Sequence, residues 1–223
     1  MGQMLKELPF EAWVRHVFDH EVGDPAWYFS IDADIWDAPH SLSAAYMTRL
    51  FEDPLPQLAA YTDAQLNQGF WYLVSNGGSI HMFALLDEAV PLGDRIRCVR
   101  AIYPLFASLF AARCTPHLSH QDEPGSSPLN SACYMWWDLI PVVPKPGDWA
   151  RAAFDLAVLE VMERTLSLDS PACQESALHG LGHWASDYPV HVEAIVGRYL
   201  KAHSALREDL RRYAQRARKG AVL

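Results

Sequence analysis

Residues 170–203 read SPACQESALHGLGHWASDYPVHVEAIVGRYLKAH, and this stretch decides the fold. Ser170 ahead of Pro171 is a helix start: a hydroxyl accepts from an orphan N–H of the first turn, and a proline there gives up no needed donor. At 100° per residue Cys173, Ala177, Leu178, Leu181, Trp184 and Ala185 fall on one side, which is expected to be buried. Asp187 and Pro189 repeat the start signal, and Val192, Ile195, Val196 and Tyr199 then recur at spacings of three and four. The two stripes can close on each other as a helical hairpin. Neither face is wide enough to stand alone in water, so further helix pairs are expected to stack on it.

Over these residues the chain resembles a HEAT-like, armadillo-type repeat, with 174–182 (QESALHGLG) standing where such repeats carry an Ala-Leu-Gly-rich first helix. The resemblance implies an all-α fold of antiparallel helical hairpins stacked as an irregular HEAT-like α-α superhelix. Start-to-start spacings of about 16–22 residues in the last four helices give a two-helix unit of the size such repeats have. We expect one all-helical domain over 1–223, irregular over 1–147 and HEAT-like over 148–218.

Working outward, 148–168 is apolar on most sides through Phe154, Leu156, Val158, Leu159, Val161 and Met162. It is expected to be a central helix, with i,i+4 pairs Arg151–Asp155 and Glu160–Arg164. Residues 205–218 read as a basic amphipathic helix. Upstream, helices are expected over 10–20, from a cap at Ser41 or Ser43 through Phe51, from Thr62 through Val74, over 81–88 and over 131–139. A long helix over 94–113 should kink at Pro104, which removes one backbone bond and crowds the preceding turn. No stretch alternates as a strand does. The longest polar connection is 114–130, and loops of this length in compact domains are usually functional or mobile.

Half the residues are hydrophobic, which excludes disorder. The longest nearly apolar run, 101–112, interrupted by Pro104, is well short of the ~20 residues of a membrane span. A basic-then-apolar secretory leader is not expected at the start, and Lys6 stands where a myristoylation signal would need Ser or Thr. The expected compartment is the cytoplasm, with no membrane partner. Cys98, Cys114, Cys133 and Cys173 are widely separated, without zinc-knuckle spacing, and are expected to be reduced core residues.

The net charge of −9 is uneven: residues 201–223 hold 7 of the 18 Lys and Arg but 2 of the 27 acids, a local +5 against −14 for 1–200. A mostly negative surface repels a phosphate backbone, so no nucleic-acid partner is expected and a basic protein is. The basic C-terminal helix could meet nucleic acid, a membrane surface or the acidic body of its own chain, and the last fits an end cap best.

Chemistry has two places to assemble. Glu175, His179 and His183 are spaced by four and line one stripe of the 170–185 helix, roughly opposite its apolar side. Two His one turn apart with a carboxylate can present ligands to a metal, although the order is not that of H-E-x-x-H. A polar face packed on a neighbour or solvated is the plainer account, and Gly180 and Gly182 suggest a neighbouring helix close by. His117, His120, Asp122 and Glu123 share the long loop, where no scaffold yet positions the ring nitrogens. No G-x-S-x-G, P-loop or dinucleotide fingerprint is present.

The segment 19–37 (DHEVGDPAWYFSIDADIWD) carries six carboxylates and no Lys or Arg. Trp27, Asp32, Asp34, Trp36 and Asp37 are the candidate partner-binding residues, because rings supply desolvated contact and carboxylates speed encounter with a basic surface. The same rings would serve equally to fill a core, with the Asp residues capping turns. We expect a non-catalytic, acidic protein-binding protein without a metal or cofactor. Within that class, an immunity or inhibitor protein that neutralises a basic toxin or enzyme fits the charge. The alternative is a metal-dependent helical enzyme, a hydrolase or hydroxylase, built on the His179 and His183 stripe with residues such as His81 or His117.

Overall fold

The computed structural model describes residues 2–6 and 8–222. In chain order the helices are α1 (Phe10–Phe18), α2 (His40–Glu52), α3 (Leu55–Leu58), α4 (Asp63–Val74), α5 (Leu92–Leu105), α6 (Ala111–Arg113), α7 (Leu129–Leu139), α8 (Ala152–Thr165), α9 (Pro171–Trp184), α10 (Pro189–Ala202) and α11 (Glu208–Ala217). The fold is all-α. Two strands of two residues each, β1 (Met4–Leu5) and β2 (Ile35–Trp36), pair in parallel, too short to show the alternation by which a strand is read from sequence.

Start signals behave as their chemistry requires. Ser170 Oγ accepts from the Cys173 N–H, and Thr62 with Gln65 forms a reciprocal capping box. Two expected caps are absent. Helix α2 begins at His40 behind Pro39, one residue before Ser41, and α10 begins at Pro189 without help from Asp187. In both cases the proline's fixed φ sets the first turn instead. At Pro104 the helix widens rather than breaks: residues Phe106–Phe110 make a π turn between α5 and α6, one of the few ways a helix absorbs a missing N–H.

The helices pack in two rows. In one, α1, α4, α7, α9 and α11 each lie against the next; in the other, α2, α5 and α8 do the same, and α10 closes the end on α9 and α11. Alternating assignment of successive long helices to two rows is the arrangement that stacked hairpins produce. One cluster of buried side chains runs through both rows from Phe10 to Val222. Phe51, Phe70, Phe106 and Phe110 meet Trp136 between the rows, at centroid distances of 5.7–5.8 Å.

The central helix is α9, not the 148–168 helix. Twelve of its 14 residues are buried, because α7, α8, α10 and α11 surround it, whereas α8 leaves Leu156 exposed. The Arg151–Asp155 pair forms as expected. Glu160 and Arg164 do not pair: Glu160 takes Arg100 of α5 and Arg164 lies over the Tyr103 ring at 3.9 Å, since partners on a packed neighbour are better fixed than one on the same exposed face.

Gly180 and Gly182 let α9 approach its neighbours. A Cβ at Gly180 would lie 2.7 Å from Trp137 of α7, and one at Gly182 would lie 2.3 Å from Val222, which is folded back against it. Gly180→Ala should therefore destabilise the protein by about 1–3 kcal/mol in urea denaturation, overpacking outweighing the gain of about 1 kcal/mol in helix propensity. A variant at least as stable as the parent would contradict this close approach.

Candidate functional site

The expected partner-binding residues separate on folding. Trp36 is 1% exposed, stacked on Tyr46 at 5.5 Å and packed against Trp13, so it belongs to the core and not to a partner surface. The β1–β2 pairing turns it inward, because adjacent residues of a strand face opposite ways and Ile35 takes the outside. Trp27 is half-buried, stacked on His20 at 3.7 Å with Tyr72 beside it. Asp32, Asp34 and Asp37 are exposed, and Asp34 accepts the Gln3 N–H at 2.8 Å, which holds the N-terminal strand to this segment. Within 19–37 the large apolar groups that reach solvent are Val22, Phe29, Ile31 and Ile35, with Ile31 89% exposed and Phe29 60%. In the sequence Ile31 and Ile35 flank Asp32 and Asp34.

The second constellation is drawn together from elements far apart in the chain. Glu175 is fully buried, not on an open face. Its Oε2 accepts the Ser119 N–H at 2.9 Å, and its Oε1 accepts the His120 N–H at 3.0 Å and the His120 Nδ1–H at 2.5 Å. The long loop is thus pinned onto α9, and of the loop candidates His120 joins the α9 stripe. His120 stacks on Tyr213 of α11 at 4.2 Å. Tyr213 Oη lies 2.8 Å from His179 Nδ1, 3.3 Å from Tyr134 Oη, and 3.4 Å from the Val222 carbonyl to which it donates.

With Tyr213 donating to that carbonyl, the Nδ1–H of His179 donates to Tyr213 Oη and its Nε2 lone pair accepts the His183 Nε2–H. That Nε2 faces the Nε2 of His183 at 3.1 Å, and His183 Nε2 lies 3.6 Å from Asp138 Oδ1 of α7. Burial, then the neighbouring His183, lowers the His179 pKa to about 4, so its ring is neutral at physiological pH. His179 is buried, His183 one-third exposed and Asp138 more open, so the cluster runs from core to solvent.

Asp138 was not among the expected residues. Its signal was available: it is the single charged residue in 124–144. His81 and His117, expected as companions of the His179 stripe, are elsewhere. His81 is buried against Trp13, Trp36 and Tyr72, and His117 bonds Thr115 Oγ1 at 2.9 Å.

No protein-family model, curated protein or solved structure matches this chain. Cys98, Cys133 and Cys173 are buried and none of the four cysteines is paired, though Cys133 lies beside Cys114 and Cys173. Burial pushes the Cys98 thiol up to about 12, which makes it an inert core group.

Arg207, Arg211 and Arg218, in and beside the basic C-terminal helix, turn on the chain itself. Arg207 reaches Glu123 and Asp209 and donates to the Pro116 carbonyl, Arg211 donates to the carbonyls of His203 and Ser204, and Arg218 pairs with Glu193. Among the described residues no helix is long and apolar enough to cross a membrane.

Proposed function

We propose that the protein is an acidic, non-catalytic binding module that captures a basic protein through the surface of 22–37. The observation that carries this is the exposure of Val22, Phe29, Ile31 and Ile35 among Asp24, Asp32, Asp34 and Asp37. Aliphatic and aromatic side chains held in water by a stretch without a single cation offer desolvated contact at the centre and negative charge at the rim. The proposed partner is a cationic toxin or enzyme whose active cleft is covered, in the manner of an immunity or inhibitor protein, in the cytoplasm. The two-row stacking is compatible with a HEAT-like scaffold, which presents surface in the same way. A second reading, metal-dependent catalysis, draws on the Asp138, His179 and His183 cluster.

Capture of a partner from host lysate at low salt tests the first. The parent should retain a basic protein that the triple variant Asp32→Lys, Asp34→Lys, Asp37→Lys does not, with association slowed by about 10–100-fold. Ile31→Asp should weaken the complex by roughly 10-fold or more through lost desolvated contact. Recovery of no partner at low salt, or of the same proteins by parent and triple variant, would exclude this surface.

A further inference from the structure

We propose that Asp138, His179 and His183 bind one divalent ion of the zinc class, with water completing the coordination. The site does not rest on the partner-binding reading, since none of its residues lies in 19–37.

Metal–nitrogen and metal–oxygen bonds of about 2.0–2.2 Å at tetrahedral angles place neighbouring ligand atoms about 3.3–3.5 Å apart. The Nε2 atoms of His179 and His183 are 3.1 Å apart, the His183 Nε2 to Asp138 Oδ1 distance is 3.6 Å, and all three ligand atoms lie within 4.8 Å of one another. The 3.6 Å separation is too long for a hydrogen bond, so the Asp138 carboxylate stands beside the imidazoles without bonding to His183. Asp138 is the most open of the three, and rotation of its side chain closes the longest edge of the triangle.

A ligating histidine needs its other nitrogen held, and here that support is built. Tyr213 takes the Nδ1–H of His179, the Tyr134 ring packs on the imidazole at 4.4 Å, and His120, fixed by the buried Glu175, stacks on Tyr213. This train of contacts holds the ring orientation and aims Nε2 at the other two ligands. Two imidazoles and one carboxylate suit zinc better than calcium or magnesium, which take all-oxygen sets. Ion entry replaces the single His179–His183 hydrogen bond, and the solvent side of the cluster leaves a place for an exchangeable water. The other close His–carboxylate pairs, His40–Asp87 and His120–Glu175, gather no third ligand among the described residues.

Zinc and cobalt titrations of the full chain, purified without a histidine tag, test the proposal. One equivalent of Zn²⁺ should bind and, at 100-fold excess over the dissociation constant, raise the melting temperature by roughly 5–10 °C. Co²⁺ should give the visible spectrum of a four-coordinate ion. His183→Ala and Asp138→Asn, both at partly exposed positions, should keep the fold by circular dichroism and lose at least about 10-fold in affinity. Tyr213→Phe should also lose about 10–100-fold, through the released His179 ring. His191→Ala, at an exposed histidine of α10, should bind as the parent does. Absence of zinc binding by the parent, unchanged affinity in His183→Ala, or equal loss in His191→Ala would each overturn the assignment.

Discussion

Replacing Glu175 with alanine should cost about 3–5 kcal/mol and lower the melting temperature by roughly 10 °C, the largest single-residue effect expected in this protein. The carboxylate is fully buried and accepts three donors, the backbone N–H groups of Ser119 and His120 and the Nδ1–H of His120. Alanine leaves all three without their acceptor in a partly buried space, and a stranded donor there costs desolvation. Glu175→Gln keeps the shape and one acceptor oxygen but points an amide at a donor, so about half the loss is expected. Urea denaturation measures both. Hydrogen exchange at the Ser119 and His120 amides should speed up in the alanine variant, because α9 no longer holds the loop. If both variants unfold like the parent, the loop is not anchored through this carboxylate.

Acid should weaken the fold well before the carboxylates titrate. Burial holds the His81 pKa at about 3 and the His16 pKa at about 4, against about 6.5 in the unfolded chain. Above pH 6.5 both states carry neutral imidazoles and stability is flat. Below it the unfolded chain takes up protons that the folded chain refuses, so stability falls until the folded-state values are reached. For His81, 2% exposed among Trp13, Trp36 and Tyr72, the loss between pH 6.5 and 4 is about 3 kcal/mol. His16, half-buried against Trp27 and Tyr72, adds a smaller share. His81→Gln cannot take up that proton. Whatever its absolute stability, it should lose about 3 kcal/mol less than the parent over this range. Parallel urea-stability profiles for the two proteins would show that His81 is not the group responsible.

Both effects depend on residues that local pattern leaves ambiguous. Periodicity in 170–203 was enough to place α9 and α10, their starts at Pro171 and Pro189, and the buried stripes on each. A hydrophobic period of 3.6 is a property of neighbouring residues, and its cost in water is the same whatever the helix meets. It says which side must be covered, and nothing about whether the other side is covered as well. The polar side of α9 carries Glu175 and His179, and a four-residue spacing reads equally as a solvated stripe or a buried network. Only the arrival of α7, α11 and the loop over 114–128 from other parts of the chain makes it the latter. The same limit applies to Trp36: an aromatic beside two aspartates could face either way until β1 paired with β2 and fixed the alternation.

What the amino-acid order determined by itself was the all-α class, the length and start of most helices, and the uneven charge, because these follow from side chains within a few turns of one another. The tertiary structure alone decided that α9 is central, that His120 meets Glu175, that Asp138 joins His179 and His183, and that Ile31, not Trp36, faces water. Those outcomes depend on which surfaces pack together over separations of tens of residues, where burial and the pairing of every enclosed polar group choose among arrangements that local spacing leaves equal.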